Sequence, residues 1–186
     1  MAGAAMPAEH AILGLLHLDD GSGHGYDLAR NFADGQPLAN VLRLETGMLY
    51  HHLKKMERQG WVASTTEQQS SRPARQVYHL TGAGLAELQR WLTEPVRHTR
   101  EIRLEFLVKL YFAQRMDDAL AARLIAGQLD ALRTWLEALI EQRASSAATD
   151  LSLLDSKFTW LVLDLRIAQT RAAIDWLGSA DPRPDQ

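Results

Sequence analysis

Apolar positions in residues 8–18 recur at helical spacing, with Ile12, Leu15 and Leu16 on one side. Pro7 precedes them at the first turn, where its missing N–H costs nothing. Asp19-Asp-Gly-Ser-Gly23 breaks the pattern and reads as a loop. A second, short helix starts near Gly25 with Tyr26, Ala29 and Phe32 on one face, and Asp34-Gly-Gln-Pro37 ends it. In a third helix, about 100° per residue puts Leu49, Leu53 and Met56 in one stripe. Gly47, His51, Lys54 and Arg58 share the opposite side, with Lys55 beside them, and Gly60 follows as a stop.

The period then changes. Trp61-Val-Ala-Ser-Thr65 and Gln76-Val-Tyr-His-Leu80 alternate like strands and flank a polar tip that contains Arg72-Pro-Ala-Arg75. The economical arrangement is an antiparallel hairpin with two arginines near its tip. Thr81 follows as the N-cap of a helix carrying Leu85, Leu88 and Leu92, which ends before Pro95. Three helices, a basic-tipped hairpin and a further helix predict a winged helix-turn-helix, whose third helix enters the major groove of DNA.

Residues 96–178 hold three long amphipathic segments. The first carries Leu104, Leu107, Val108 and Tyr111; the second starts at Asp117 and carries Leu120, Leu124, Leu132, Leu136 and Leu139. After a polar linker at 145–150, the third carries Leu154, Phe158, Leu161, Leu165 and Trp176. These stripes exceed what one small domain covers, so they either form a bundle or bury against a second copy of the chain. The fold class is mostly α with a small β-hairpin wing. A winged-helix domain (1–94) precedes a C-terminal helical dimerisation domain (95–180) and a flexible tail (181–186).

Charge sharpens this reading. Residues 43–80 hold Arg43, Lys54, Lys55, Arg58, Arg72 and Arg75 against Glu45, Glu57 and Glu67, a local excess of three positive charges in a chain of net charge -3. A basic island in an acidic chain is what a nucleic-acid contact surface looks like. The chain has 186 residues, is 46% hydrophobic and contains no cysteine. That excludes disorder as its general state, and with it disulfides, thiolate metal sites and a cysteine nucleophile. No apolar run approaches the roughly 20 residues that span a bilayer, and the start carries no secretion signal. A soluble, cytoplasmic protein is expected.

Competing chemistry has little support. Gly21-Ser-Gly-His-Gly25 matches neither the dinucleotide fingerprint nor the P-loop lysine pattern. His51 and His52 diverge on one helix, and His10 with His17 lacks a third ligand, so no metal site is expected and the histidines read as surface or satisfied core residues. No catalytic residue, enzymatic activity or cofactor is expected.

The residues carry a family likeness as well. Ile12-Leu-Gly-Leu-Leu16, His24-Gly-Tyr26, Gly47-Met-Leu-Tyr50 with Leu53, and Glu57-Arg-Gln-Gly-Trp-Val62 come in order. Arg72-Pro73, Arg75, Tyr78-His-Leu-Thr81 and Gly84 follow, and Phe106–Phe112 and Ala173–Leu177 close the set. Over nearly its whole length the sequence resembles the PadR family of transcriptional regulators, in its longer, multi-helix subgroup. The resemblance implies a ligand-responsive, dimeric DNA-binding protein, usually a repressor, whose C-terminal helices pair with the partner subunit. It departs from the family where Glu45 stands for a common Ser, Met48 for a common hydroxyl residue, and Ser71 for a common Gly. Glu45 would repel a phosphate, whereas Met48 could touch a thymine methyl.

The expected DNA-binding residues are therefore Gly47, Met48, Tyr50, His51, Lys54, Lys55, Arg58, Arg72 and Arg75. The lysines and arginines among them act through phosphates. Leu104, Leu107, Val108, Tyr111, Phe158, Leu161, Leu165 and Trp176 are expected at the dimer interface. Trp91 and Trp160 are the expected contacts of an aromatic or amphipathic effector. The alternative is a protein-interaction adaptor whose winged helix no longer binds DNA.

Overall fold

The computed structural model describes residues 7–69, 72–146 and 153–179. Ser71, residues 147–150 of the expected linker and the 181–186 tail lie outside them, as do the side chains of Arg72 and Leu154.

Helix α1 (Pro7–Leu18) is buried from Ala8 through Leu16 on every side. A helix buried all round needs cover all round, and α1 obtains it from α2, α3, α4, α6 and the sheet. A Cβ at Gly14 would lie 2.6 Å from the Phe112 ring, so glycine there is what lets α6 close onto α1.

The expected 19–23 loop contains a strand. Asp19–Gly21 turn, and β1 (Ser22–His24) then pairs antiparallel with β3, Ser22 opposite His79 and His24 opposite Val77. Backbone pairing needs no side-chain signal; the Gly21 carbonyl likewise accepts from the Leu80 N–H at 2.8 Å. Helix α2 (Gly25–Arg30) buries Leu28, and Phe32 beyond it, while Tyr26 is 69% exposed. The expected Tyr26 face is thus corrected: Tyr26 and Leu28 point to opposite sides, a six-residue helix has one buried side, and the phenol keeps to water. A 3-10 turn at Pro37–Asn40 adds Leu38 and Ala39 to the core.

Helix α3 (Thr46–Arg58) buries Leu49, Leu53 and Met56 as its stripe requires, and His52 beside them. Gly60, at φ 73°, reverses the chain after it. Strands β2 (Val62–Gln69) and β3 (Arg72–Leu80) form the hairpin, giving a sheet of order β1-β3-β2. Helix α4 (Gly82–Thr93) starts where expected, with the Thr81 Oγ1 accepting from the Gly84 N–H at 3.1 Å.

The C-terminal half begins with α5 (Thr99–Glu101), a π-helical stretch at Ile102–Phe106 and α6 (Leu107–Met116), which run on without a break. Two long helices follow, α7 (Asp118–Ser146) and α8 (Leu153–Ser179), packed along one another. Between the halves, the side chain of fully buried Gln128 on α7 grips the Val96 peptide from both sides: its Oε1 accepts from the Val96 N–H at 2.7 Å, and its Nε2 donates to the Val96 carbonyl at 3.2 Å.

The apolar stripe read on the third C-terminal segment is not the one α8 buries. Leu163, Ile167, Thr170, Ala173 and Leu177 face inward, and Phe158, Leu161, Leu165 and Trp176 remain exposed. Helix α8 is apolar on two sides, and helical periodicity cannot say which side its own chain covers. In the first segment, Val108 is fully buried with Phe112 in the core that α1 organises, so Val108 has no surface left for a partner. Leu104 is 37% exposed, with Leu107 and Tyr111 half-buried.

Candidate nucleic-acid interface

Because Leu49, Leu53 and Met56 anchor one side of α3, the helix must show the other to solvent. Gly47, Met48, Tyr50, His51, Lys54 and Arg58 are all exposed there. Glu45 is the N-cap residue by backbone conformation, but its carboxylate makes no capping bond. Nothing within 4 Å would meet a Cβ on Gly47, so the start of α3 presents bare backbone to whatever approaches. Among the described residues neither Lys54 nor Arg75 makes an ion pair, and Arg58 bonds only the Lys54 carbonyl, at 3.3 Å.

The wing is fixed to this helix at its base. Ser64 on β2 donates to Glu57 of α3 at 2.6 Å. Tyr50 lies against Gly25, where a Cβ would come within 2.6 Å of its ring. Burial, with Tyr50 and Glu57 nearby, holds the Tyr78 phenol above its ordinary range, so it stays a neutral donor to Gln76 at 3.0 Å. A cleft of about 390 Å³ opens between α2, α3 and β3, lined by His24, Gly25, Tyr26, Asp27, Tyr50, Arg75 and Gln76. Arg75 thus shares one rim with Tyr50, as a wing flanking a recognition helix should. Arg72 stands further out, with its backbone in register with Gln69. Glu67 sits directly across from Arg75 and tempers the positive field at that level.

Lys55 behaves differently from its neighbours. Its Nζ lies 2.6 Å from the Oε1 of Glu9, a fully buried residue of α1, and the same oxygen contacts the His52 Nδ1 at 3.1 Å. The expected companion of Lys54 is therefore turned toward the core. Sequence reasoning missed Glu9; the available signal was a charged and an ionisable residue, Glu9-His10, inside an otherwise apolar helix.

The two tryptophans expected to serve an effector are not alike. Trp91 is 4% exposed. His10 stacks on its ring at 4.4 Å and 4°, Lys109 stands over it at 5.1 Å, and its Nε1 donates to Glu105 at 2.9 Å. His10 is itself bonded through its Nε2 to Glu87 at 2.9 Å. Lys109 is almost wholly buried, donates to the Glu94 carbonyl at 2.6 Å, and is held below the usual lysine range chiefly by that burial. The Trp91 ring is thus occupied by the chain itself, whereas Trp160 is half-exposed on α8. A smaller cavity, about 280 Å³, lies between α4 and the α6–α7 turn, with Leu85, Leu88, Leu92, Met116 and Leu120 within it and His17, Gln89, Asp117 and Arg123 at its rim. Among the described residues no group of three or more His, Asp or Glu is placed to hold a metal ion, and no helix is long and apolar enough to cross a membrane.

Known proteins resemble the chain over nearly its whole length. Residues 12–90 match the transcriptional regulator PadR-like family, and residues 102–181 match a C-terminal domain family described as virulence activator alpha. A probable transcriptional regulator of Mycobacterium tuberculosis is 34% identical over 185 residues, covering 92% of this chain and 94% of its own length. The negative transcriptional regulator PadR of Bacillus subtilis is 28% identical, covering 92% and 93%. Among solved structures, that of Bacillus subtilis PadR in complex with operator DNA matches at 27% identity and a TM-score of 0.45, covering 92% of this chain and 94% of that one.

Proposed function

This chain belongs to the PadR-like family of transcriptional regulators, and from that premise we propose that it is a repressor, binding a two-fold operator as a homodimer and released by a small organic ligand. The observation that carries the DNA face is the set of exposed groups on one side of α3 joined by Arg75 at the cleft rim. Lys54, Arg58, Arg72 and Arg75 are assigned to phosphates. Gly47, Met48, Tyr50 and His51 are assigned to base edges or the adjacent backbone, since phosphates position a protein and base edges specify its site. The homodimer rests on the exposed line of Phe158, Leu161, Leu165 and Trp176 along α8, with Leu104 on the first C-terminal segment; large apolar surface left open on a chain calls for a second copy. Repression follows the Bacillus subtilis relative, a negative regulator by name.

For the ligand, Trp91 offers no open face. The cavity between α4 and the α6–α7 turn has an apolar interior and a rim of His17, Asp117 and Arg123, which suits an amphipathic molecule. It also lies where α4 of the winged helix meets the C-terminal half, so occupancy can bias the spacing of two recognition helices that must sit about 34 Å apart.

Fluorescence anisotropy on mixed-sequence duplex across a salt series tests the DNA face. Each phosphate contact contributes roughly 0.9 to the slope of log affinity against log salt, so Lys54→Ala or Arg75→Ala, lost from both subunits, lowers the slope by about 2. Wild-type protein with no affinity at low salt would refute the reading.

A further inference from the structure

Three basic residues crowd the second half of α3, and one of them, Lys55, is tied to a buried carboxylate while its own side chain stays 31% exposed. Glu9 is 0% exposed on an otherwise apolar helix. Its Oε1 holds Lys55 at 2.6 Å and His52 at 3.1 Å, and its Oε2 has no partner among the described residues. Lys55 is thus the one ammonium that compensates this buried carboxylate. If Lys55 swung out to a phosphate, it would strand a negative charge out of water, a state that proteins strongly disfavour. Lys54, one residue earlier, has no such tie and points to solvent. His52 in turn lies edge-on to exposed His51, with ring centroids 5.9 Å apart, so the same carboxylate also holds the residue against which His51 rests.

Resting on the DNA-binding reading above, we propose that Glu9 is a specificity-determining positioning residue: it sequesters Lys55 from the DNA backbone and fixes the rotation of α3. A lysine beside the groove adds affinity for every sequence alike, because counterion release takes no account of bases. Tethering the Lys55 ammonium to Glu9 lowers that common term and leaves the base-facing side of α3 to discriminate. Glu9 does this without touching DNA.

The test compares wild type, Glu9→Gln, Lys55→Met and the double variant on mixed-sequence duplex between 50 and 200 mM salt. Glu9→Gln keeps the shape but removes the charge that retains Lys55. Its affinity for mixed DNA rises at low salt and its slope steepens by about 2 for a dimer, a roughly tenfold larger loss of affinity across that salt range. Adding Lys55→Met returns the slope to the wild-type value. A merely structural role for Glu9 gives weaker binding with no steeper slope in a variant whose circular dichroism is native, and that result overturns the proposal. Should Glu9→Gln fail to fold, Lys55→Met alone decides: an unchanged slope supports sequestration, and a fall of about 2, as for Lys54→Ala, overturns it. Wild type that binds no duplex at low salt removes the DNA reading and this inference together. Wild type that binds while the Glu9→Gln slope stays put removes this inference alone.

Discussion

Leu161→Ala on α8 should weaken the proposed homodimer by a calculable amount. Burying a leucine side chain completely is worth about 1.5–3 kcal/mol. Leu161 is 60% exposed on its own chain, so a partner can still remove about 1–2 kcal/mol worth of exposure per subunit. Two-fold symmetry counts the residue twice, giving about 2–4 kcal/mol per dimer. With a factor of ten for every 1.4 kcal/mol or so, the dimer Kd rises about 30- to 700-fold. Sedimentation velocity over a wide concentration series reads this directly, with Arg171→Ala, an exposed polar position about 120° around the same helix from Leu165, as the control that should leave Kd alone. Leu165, 58% exposed, should behave alike. If Leu161→Ala and the Leu161→Ala/Leu165→Ala double variant sediment as wild type does, the α8 face is not the interface.

Trp91→Phe keeps a ring against His10 but leaves Glu105 without its indole donor, so it should cost about 1–3 kcal/mol in chemical denaturation while the proposed ligand-triggered release of DNA persists. Lost release at unchanged stability would return Trp91 to the effector site. Lys109→Met tests the buried ammonium through pH. Because the native state holds Lys109 below its ordinary value of 10.5, the unfolded chain binds that proton more tightly. Stability attributable to Lys109 therefore increases as pH rises through its folded value toward 10.5. Urea unfolding from neutral to alkaline pH should show wild type gaining on Lys109→Met; a constant gap refutes the assignment.

Helix α3 was legible because one of its faces is unambiguously apolar: Leu49, Leu53 and Met56 leave no second way to bury it. The hairpin and the Thr81 cap were legible for similar reasons, since β-branched alternation and a hydroxyl before a helix are local signals. What escaped depended on neighbours. Ser22–His24 became a strand through backbone pairing alone. Lys55 lies on the flank of α3, where its direction is set by a carboxylate 46 positions earlier. Trp91 looked available on α4 until His10, 81 positions before it in sequence, was found stacked upon it. Helix α8 offered two apolar sides, and only the packing of α7 chose between them.

The contact between Gly14 and Phe112 has a consequence for how this molecule can be taken apart. The core around α1 also contains Val108 and Phe112, with Tyr111, Met116 and Leu120 packed against it. These come from beyond the 94/95 boundary at which a sequence reader would divide the chain. A fragment ending at that boundary would leave α1 with an empty notch at Gly14 and an uncovered flank. Recombination between relatives should therefore be punished before the first turn of α7, which ends the set with Leu120. Modularity here follows the side chains that finish a core, and the N-terminal half carries part of its own foundation in the half that follows it.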